Sequence, residues 1–246
     1  MIGIIIISFF VRNHALLENL YPPSPYSAIK LLYADEDILV LNKPPNMNTA
    51  PGVVDSNSLA QHAAEVFKVS RVDHMIAHRL DYGTSGVVVL ARITDALASL
   101  HAQFRSRRQI FKKYSAVVHG RLPSLEGEID LPIGRDLERG PPYFCIQSET
   151  GKSSVTHWHV IAASKERALL SLLPITGRTH QLRIHMQALG HPISGDPFYF
   201  NEASAEDDKR RGLARLYLHA ETLGLIHPRT QIPMQFNAPS NFGLVL

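Results

Sequence analysis

The chain has 246 residues, 45% of them hydrophobic and 19% charged, with a formal net charge of +3. That length suits one large domain or two small ones, and the composition is that of a globular protein rather than a disordered or fibrous one. The single cysteine, Cys145, excludes an intramolecular disulfide and gives no thiolate cluster for zinc or iron–sulfur, so a reducing, cytoplasmic setting fits.

Met1 to Val11 is apolar and rich in isoleucine. It is too short to span a bilayer as a helix and has neither a basic leader nor a clear cleavage site, so a peripheral strand or an extension is expected. Three prolines within Tyr21-Pro22-Pro23-Ser24-Pro25 cannot continue a helix and read as an extended arm. Apolar runs on either side of Asp35-Glu36-Asp37 predict a hairpin over Leu31–Lys43, ended by Pro44-Pro45. Leu59, Ala63, Val66 and Phe67 have helical spacing within Ser58–Lys68.

The run Val87-Val88-Val89-Leu90 predicts a buried strand. Thr94-Asp95 is expected to cap a helix reaching about Arg108, with Ala96, Leu97, Leu100 and Phe104 on one side. A strand is expected over Lys112–Gly120, then loops and short strands over 121–152. Val155–Ala162 and Ala168–Leu173 read as a strand pair turning near Ser164-Lys165-Glu166. A helix is predicted from Thr179 to Leu189, stopped by Gly190. Residues 201–212 are an exposed loop or a helix start, Leu213–Ile226 is helix or strand, and Ile232–Phe236 is a strand. Many hairpin-linked strands favour an α+β fold with a mixed, mainly antiparallel sheet and flanking helices over a doubly wound parallel one.

The stretch His78-Arg79-Leu80-Asp81-Tyr82-Gly83-Thr84-Ser85-Gly86 places a carboxylate on a loop at the mouth of the Val87 strand. There an acid can be a nucleophile, a base or a turn-capping group. Gly83-Thr84-Ser85-Gly86 lacks the spacing of a hydrolase elbow, and no phosphate-binding glycine loop is present. The histidine pairs His74/His78, His157/His159 and His180/His185 have usable spacing, but they belong to no recognisable ligand set, so no metal is expected. Between Arg79 and Arg121 stand eight Lys or Arg and two acids, an excess that suits an anionic partner or a solvated basic face. Arg183 lies beside the apolar stripe of its helix, where an arginine needs a carboxylate partner.

Taken in order, five segments resemble the RluA family of RNA pseudouridine synthases. They are His78-Arg79-Leu80-Asp81 with Thr84-Ser85-Gly86; Lys112-Lys113-Tyr114; Gly177-Arg178-Thr179-His180-Gln181-Leu182-Arg183; Gly190-His191-Pro192-Ile193 with Gly195-Asp196; and Leu218-His219-Ala220. The likeness runs from about Tyr21 to Phe242. It implies an N-terminal extension over 1–20 and one catalytic domain over 21–246 without an S4 domain, built on the bent sheet of the pseudouridine synthase fold. The Pro-rich arm resembles the dual-specificity subgroup, which modifies a tRNA anticodon loop and a 23S rRNA hairpin loop.

The resemblance implies a cofactor-free isomerisation of uridine in RNA, by an enzyme that needs no membrane and is simplest as a monomer. It makes Asp81 the essential carboxylate, Arg183 its charge partner and Tyr114 the ring on the uracil. Arg79 is implied to fill the gap left by the flipped base, and Thr84, Arg178 and His180 to bind substrate. Arg105, Arg107, Arg108, Lys112 and Lys113 would follow the RNA backbone. Two other readings stay open at this point: an RNA- or ribosome-binding module without catalysis, and a carboxylate-dependent hydrolase of small substrates.

Overall fold

The computed structural model describes residues 29–52, 57–69 and 71–245. The apolar start, the Pro-rich arm and the boundary at residue 21 lie outside the described residues.

The predicted hairpin forms as β1 (Lys30–Ala34) and β2 (Ile38–Lys43), and β3 (Ser85–Ala91) pairs antiparallel with β2. The apolar run of β3 is continuous because both faces are covered. Val87, Val89 and Ala91 enter one core with helix α2 (Thr94–Ser106), while Val88 and Leu90 enter another with helix α1 (Leu59–Phe67). β4 (Phe111–His119), β8 (Val155–Ala163) and β9 (Arg167–Pro174) build the other half of the sheet. Here only one face carries a dense core: Trp158, Leu170 and Leu172 pack with Leu182 and Met186 of helix α3 (Gln181–Ala188), while His157 and His159 face solvent.

Among the described residues the strand order is β1-β2-β3-β10-β4-β9-β8-β5, where β5 is Glu126–Asp130 and β10 is Leu218–Ile226. The pairings are antiparallel except β3–β10, which is parallel and holds through two residue pairs, His219↔Ser85 and Ala220↔Gly86. Beyond them β11 (Pro233–Asn237) replaces β3 beside β10. Gly86 makes this narrow join possible. Its φ is +117°, and a Cβ there would lie 2.2 Å from the Ala220 carbonyl oxygen, inside any allowed contact. β6 (Ile133–Arg135) and β7 (Phe144–Ile146) form a separate ribbon, and helix α4 (Glu202–Arg210) resolves the polar segment as a helix with an Asn201 capping box.

Three boundaries differ from expectation. Thr94 and Asp95 are the first helical residues rather than caps, because Ile93 occupies the extended cap position without a side-chain bond. The same helix stops at Ser106, where Arg107 turns left-handed (φ 61°) and its N–H closes on the Gln103 carbonyl. The helix expected from Thr179 starts at Gln181, because His180 is left-handed (φ 57°).

Candidate active site

A cavity of about 900 Å³ opens at the join of the two half-sheets, and both halves furnish its walls. The β3 half supplies the Asp81 loop. Its backbone is fixed residue by residue. The Thr49 hydroxyl donates to the Leu80 carbonyl at 2.8 Å, and the same oxygen accepts the Leu80 N–H at 3.1 Å. The Asp81 carbonyl accepts the Thr84 N–H (3.1 Å), and the Tyr82 carbonyl accepts the Met47 N–H (3.1 Å) and Lys43 Nζ (3.3 Å). His78 anchors the loop's start: its Nε2 accepts the Val89 N–H at 3.1 Å along the edge where β3 has left β10, and its ring stacks on Phe104. Burial, then the charge of Lys112, holds the His78 imidazole down at about 3, so it is a neutral acceptor here.

Lys43 is fully buried, with Nζ donating to the carbonyls of Pro44, Met47 and Tyr82. Burial draws it down to about 7; the Asp81 carboxylate opposes that shift and Arg215 adds to it. Neither Lys43 nor Thr49 was marked by the sequence reading, since neither lies in the five segments.

The β4/β9 half supplies Tyr114, Arg183 and His180. Arg183 is buried and held first by Asp196: Nε to Oδ2 and Nη2 to Oδ1, both at 2.7 Å. Its Nη1 then reaches Asp81 Oδ2 at 3.5 Å. Burial alone would lower the Arg183 pKa; the Asp196 bonds and charge, with Asp81 behind them, reverse this and raise it. The carboxylate expected for Arg183 is therefore present twice, and Asp196 is the tighter partner. Asp196 Oδ1 also accepts the N–H groups of Phe198 and Tyr199, which fixes the turn after Gly195. Tyr114 packs against both the α3 and the α1 cores, and burial, then the Asp81 charge, raises its hydroxyl pKa, so it rests as a neutral phenol. His180 Nδ1 lies 2.7 Å from the Tyr199 hydroxyl, and burial lowers its pKa against the pull of Asp81.

The other sequence candidates divide. Arg79, Thr84, Arg105, Arg107, Lys112 and Arg178 also line the cavity; Arg108 and Lys113 do not. Residues 112 and 113 are neighbours on a strand and face opposite ways, so Lys113 pairs with Glu221 at 2.9 Å. Thr84 is buried with its hydroxyl unpartnered. Of the paired histidines, His78 and His180 line the cavity, while His185 meets Thr156 and the Leu131 carbonyl and His157 meets Glu128.

A carboxylate, a buried arginine and a neutral ring thus line one cavity. The family model for RNA pseudouridylate synthase matches residues 37–188. The dual-specificity RNA pseudouridine synthase RluA of Escherichia coli K12 is 41% identical over 231 residues, covering 92% of this chain and 99% of its own. Its namesake from Haemophilus influenzae is 38% identical over 231 residues, 93% of this chain and all of its own. Among solved structures, human RNA pseudouridylate synthase domain containing 1 superposes with a TM-score of 0.74 at 29% identity, covering 90% of this chain and 87% of that one. The chain belongs to the RNA pseudouridylate synthase family. Within that family it is similar over nearly its full length to the RluA enzymes, and among the described residues no helix is long and apolar enough to cross a membrane.

Proposed function

We propose that this enzyme isomerises a hairpin-loop uridine in tRNA and in 23S rRNA, with Asp81 as its essential carboxylate. The observation that carries the reading is the meeting of Asp81, Tyr114 and Arg183 in one cavity from three distant parts of the chain. In the reaction the N1–C1′ bond breaks, the uracil turns in place, C5 bonds to C1′, and the proton lost from C5 is matched by one gained at N1, so that atoms balance as an isomerisation requires. Asp81 either attacks C1′ or takes the C2′ proton, and both roles need the carboxylate, which lies 3.5 Å from the Arg183 guanidinium. A raised pKa suits Tyr114 to packing on the uracil; as an acceptor of the C5 proton it would have to pass its own proton on. Arg79, exposed on the cavity rim, is positioned to replace the flipped base in its stack. Thr84, Arg178 and His180 contact the nucleotide. No cofactor or metal takes part, the enzyme works as a cytoplasmic monomer, and residues 21–246 form its catalytic domain.

The test is to incubate the protein with tRNA and 23S rRNA and map pseudouridine by sequence. New pseudouridine in a hairpin loop of each RNA is expected, and none with Asp81→Ala. Conversion that persists in Asp81→Ala removes the role given to this carboxylate.

A further inference from the structure

The cations of the cavity are not alike. Arg183 is neutralised by Asp196, and Lys113, outside the cavity, by Glu221. Arg107, Lys112 and Arg178 line the cavity with no carboxylate in ion-pairing distance among the described residues. Two of them are nevertheless held in place. Lys112 Nζ donates to the Thr176 carbonyl at 3.0 Å, and Arg178 Nε donates to the Ser153 carbonyl at 3.2 Å. A backbone carbonyl orients a cation without cancelling its charge, and it leaves the remaining donors unspent.

The third, Arg107, stands at the left-handed end of α2, a conformation unfavourable for a non-glycine residue. Gly177 lies beside Lys112: a Cβ at that position would make ordinary contact with Nζ at 3.4 Å. The three charges also feel one another. Burial, then Arg107, lowers Lys112 to about 8, and burial, then Arg107, lowers Arg178. Like charges collected in a partly buried wall without a counter-charge are unfavourable alone, and an anion relieves that cost.

We propose that Arg107, Lys112 and Arg178 form a subsite for one phosphate group of the RNA backbone, next to the nucleotide whose uracil lies on Tyr114. This rests on the RNA-modifying reading above and narrows it. The guanidinium forks and the ammonium can grip the two non-bridging oxygens of a single phosphodiester, which a loosely basic surface does not do. Arg108, outside the cavity, and Lys113, already paired, have no part in it.

A phosphate scan tests the subsite by binding, independently of turnover. Anticodon stem-loop RNAs carry one uncharged methylphosphonate at each loop position in turn, and their affinities are measured with wild type, Arg107→Gly and Lys112→Gln. Glycine suits the φ of residue 107, so the first variant keeps the fold. In wild type one position beside the target uridine should weaken binding by about 10-fold, the usual scale of a charge-assisted hydrogen bond. In each variant that penalty should shrink by at least about threefold, because one of the three contacts is already gone, while penalties elsewhere persist. An equal small penalty at every position overturns the subsite, as does a local penalty that survives undiminished in the variants. If the scan shows the coupling and the RNA is never pseudouridylated, the subsite stands and the activity assignment fails.

Discussion

Two turn carboxylates near strand starts make an instructive pair, Asp35 before β2 and Asp81 before β3. Asp35 is saturated: it accepts from the Tyr33 hydroxyl (2.7 Å), the N–H groups of Asp37 and Ile38 (both 2.8 Å) and His227 Nε2 (2.7 Å). Around it Arg229 binds Asp37 and Glu36, so the whole cluster ties the β1–β2 turn to the β10–β11 turn. Among the described residues Asp81 has one side-chain partner, Arg183 at 3.5 Å, and that arginine is committed first to Asp196. The Asp81 loop is held by its own backbone bonds, by Thr49, Lys43 and His78, and by the burial of Leu80 in the α1 core. A carboxylate whose lone pairs are filled by its own turn is structural; one whose turn is fixed by other groups keeps its oxygens for a substrate.

The sharpest way to break this comparison is to remove each acid. Asp81→Asn should lower kcat by about 10⁴-fold, with a melting temperature close to wild type, as loss of an essential catalytic group does. Asp35→Ala should do the reverse: about 2–4 kcal/mol lost in denaturant unfolding, with kcat little changed. Activity lost with Asp35, or stability lost with Asp81, would erase the distinction.

Arg183→Met comes next. It should reduce kcat by about 100-fold and also destabilise by about 3–5 kcal/mol, because Asp196 is left buried and unpaired. Adding Asp196→Asn should recover much of the stability and none of the rate, which unfolding and single-turnover assays would separate. A smaller effect is expected at Thr49. Thr49→Val keeps the shape and removes both bonds to Leu80, so kcat should fall about 10-fold with KM unchanged, and Thr49→Ser should restore it. A KM effect instead would mean that Thr49 binds RNA rather than setting the loop.

A last effect, on stability alone, is a pH dependence from Lys43. Its folded pKa of about 7 lies below the ordinary lysine value, so between the two the unfolded chain binds more protons. Stability should therefore rise with pH through that window and carry the full penalty below pH 7. Lys43→Met should flatten this slope in unfolding curves taken across pH.

The fold was legible where the pattern is local. The hairpin, the Val87 strand and the α1 stripe follow from apolar runs and helical spacing. Segment 213–226 was ambiguous between helix and strand, because Leu218–Ile226 is buried on both faces and shows no clean period of two. Asp81, Tyr114 and Arg183, which line one cavity, were marked through their motifs. Asp196 lay within a quoted motif, but its grip on Arg183 joins residues 13 apart across a turn, which spacing does not reveal. Thr49 and Lys43 act on a loop more than 30 residues away. Treating Lys112 and Lys113 as one basic patch overlooked the alternation of strand side chains, which sends one to the cavity and the other to Glu221.

The β3–β10 join is two residue pairs wide, and the site spans it. Asp81 is carried by one half-sheet, Arg183 by the other, and Tyr114 touches the cores of both. On the roles proposed for these three residues, turnover is a gauge of how the two cores are set against each other. A repacking mutation deep in either core, far from any RNA, can tilt one half by a fraction of an ångström and silence the enzyme while the protein still folds. In this architecture loss of activity will often be the first sign of a core defect, ahead of any change in melting temperature.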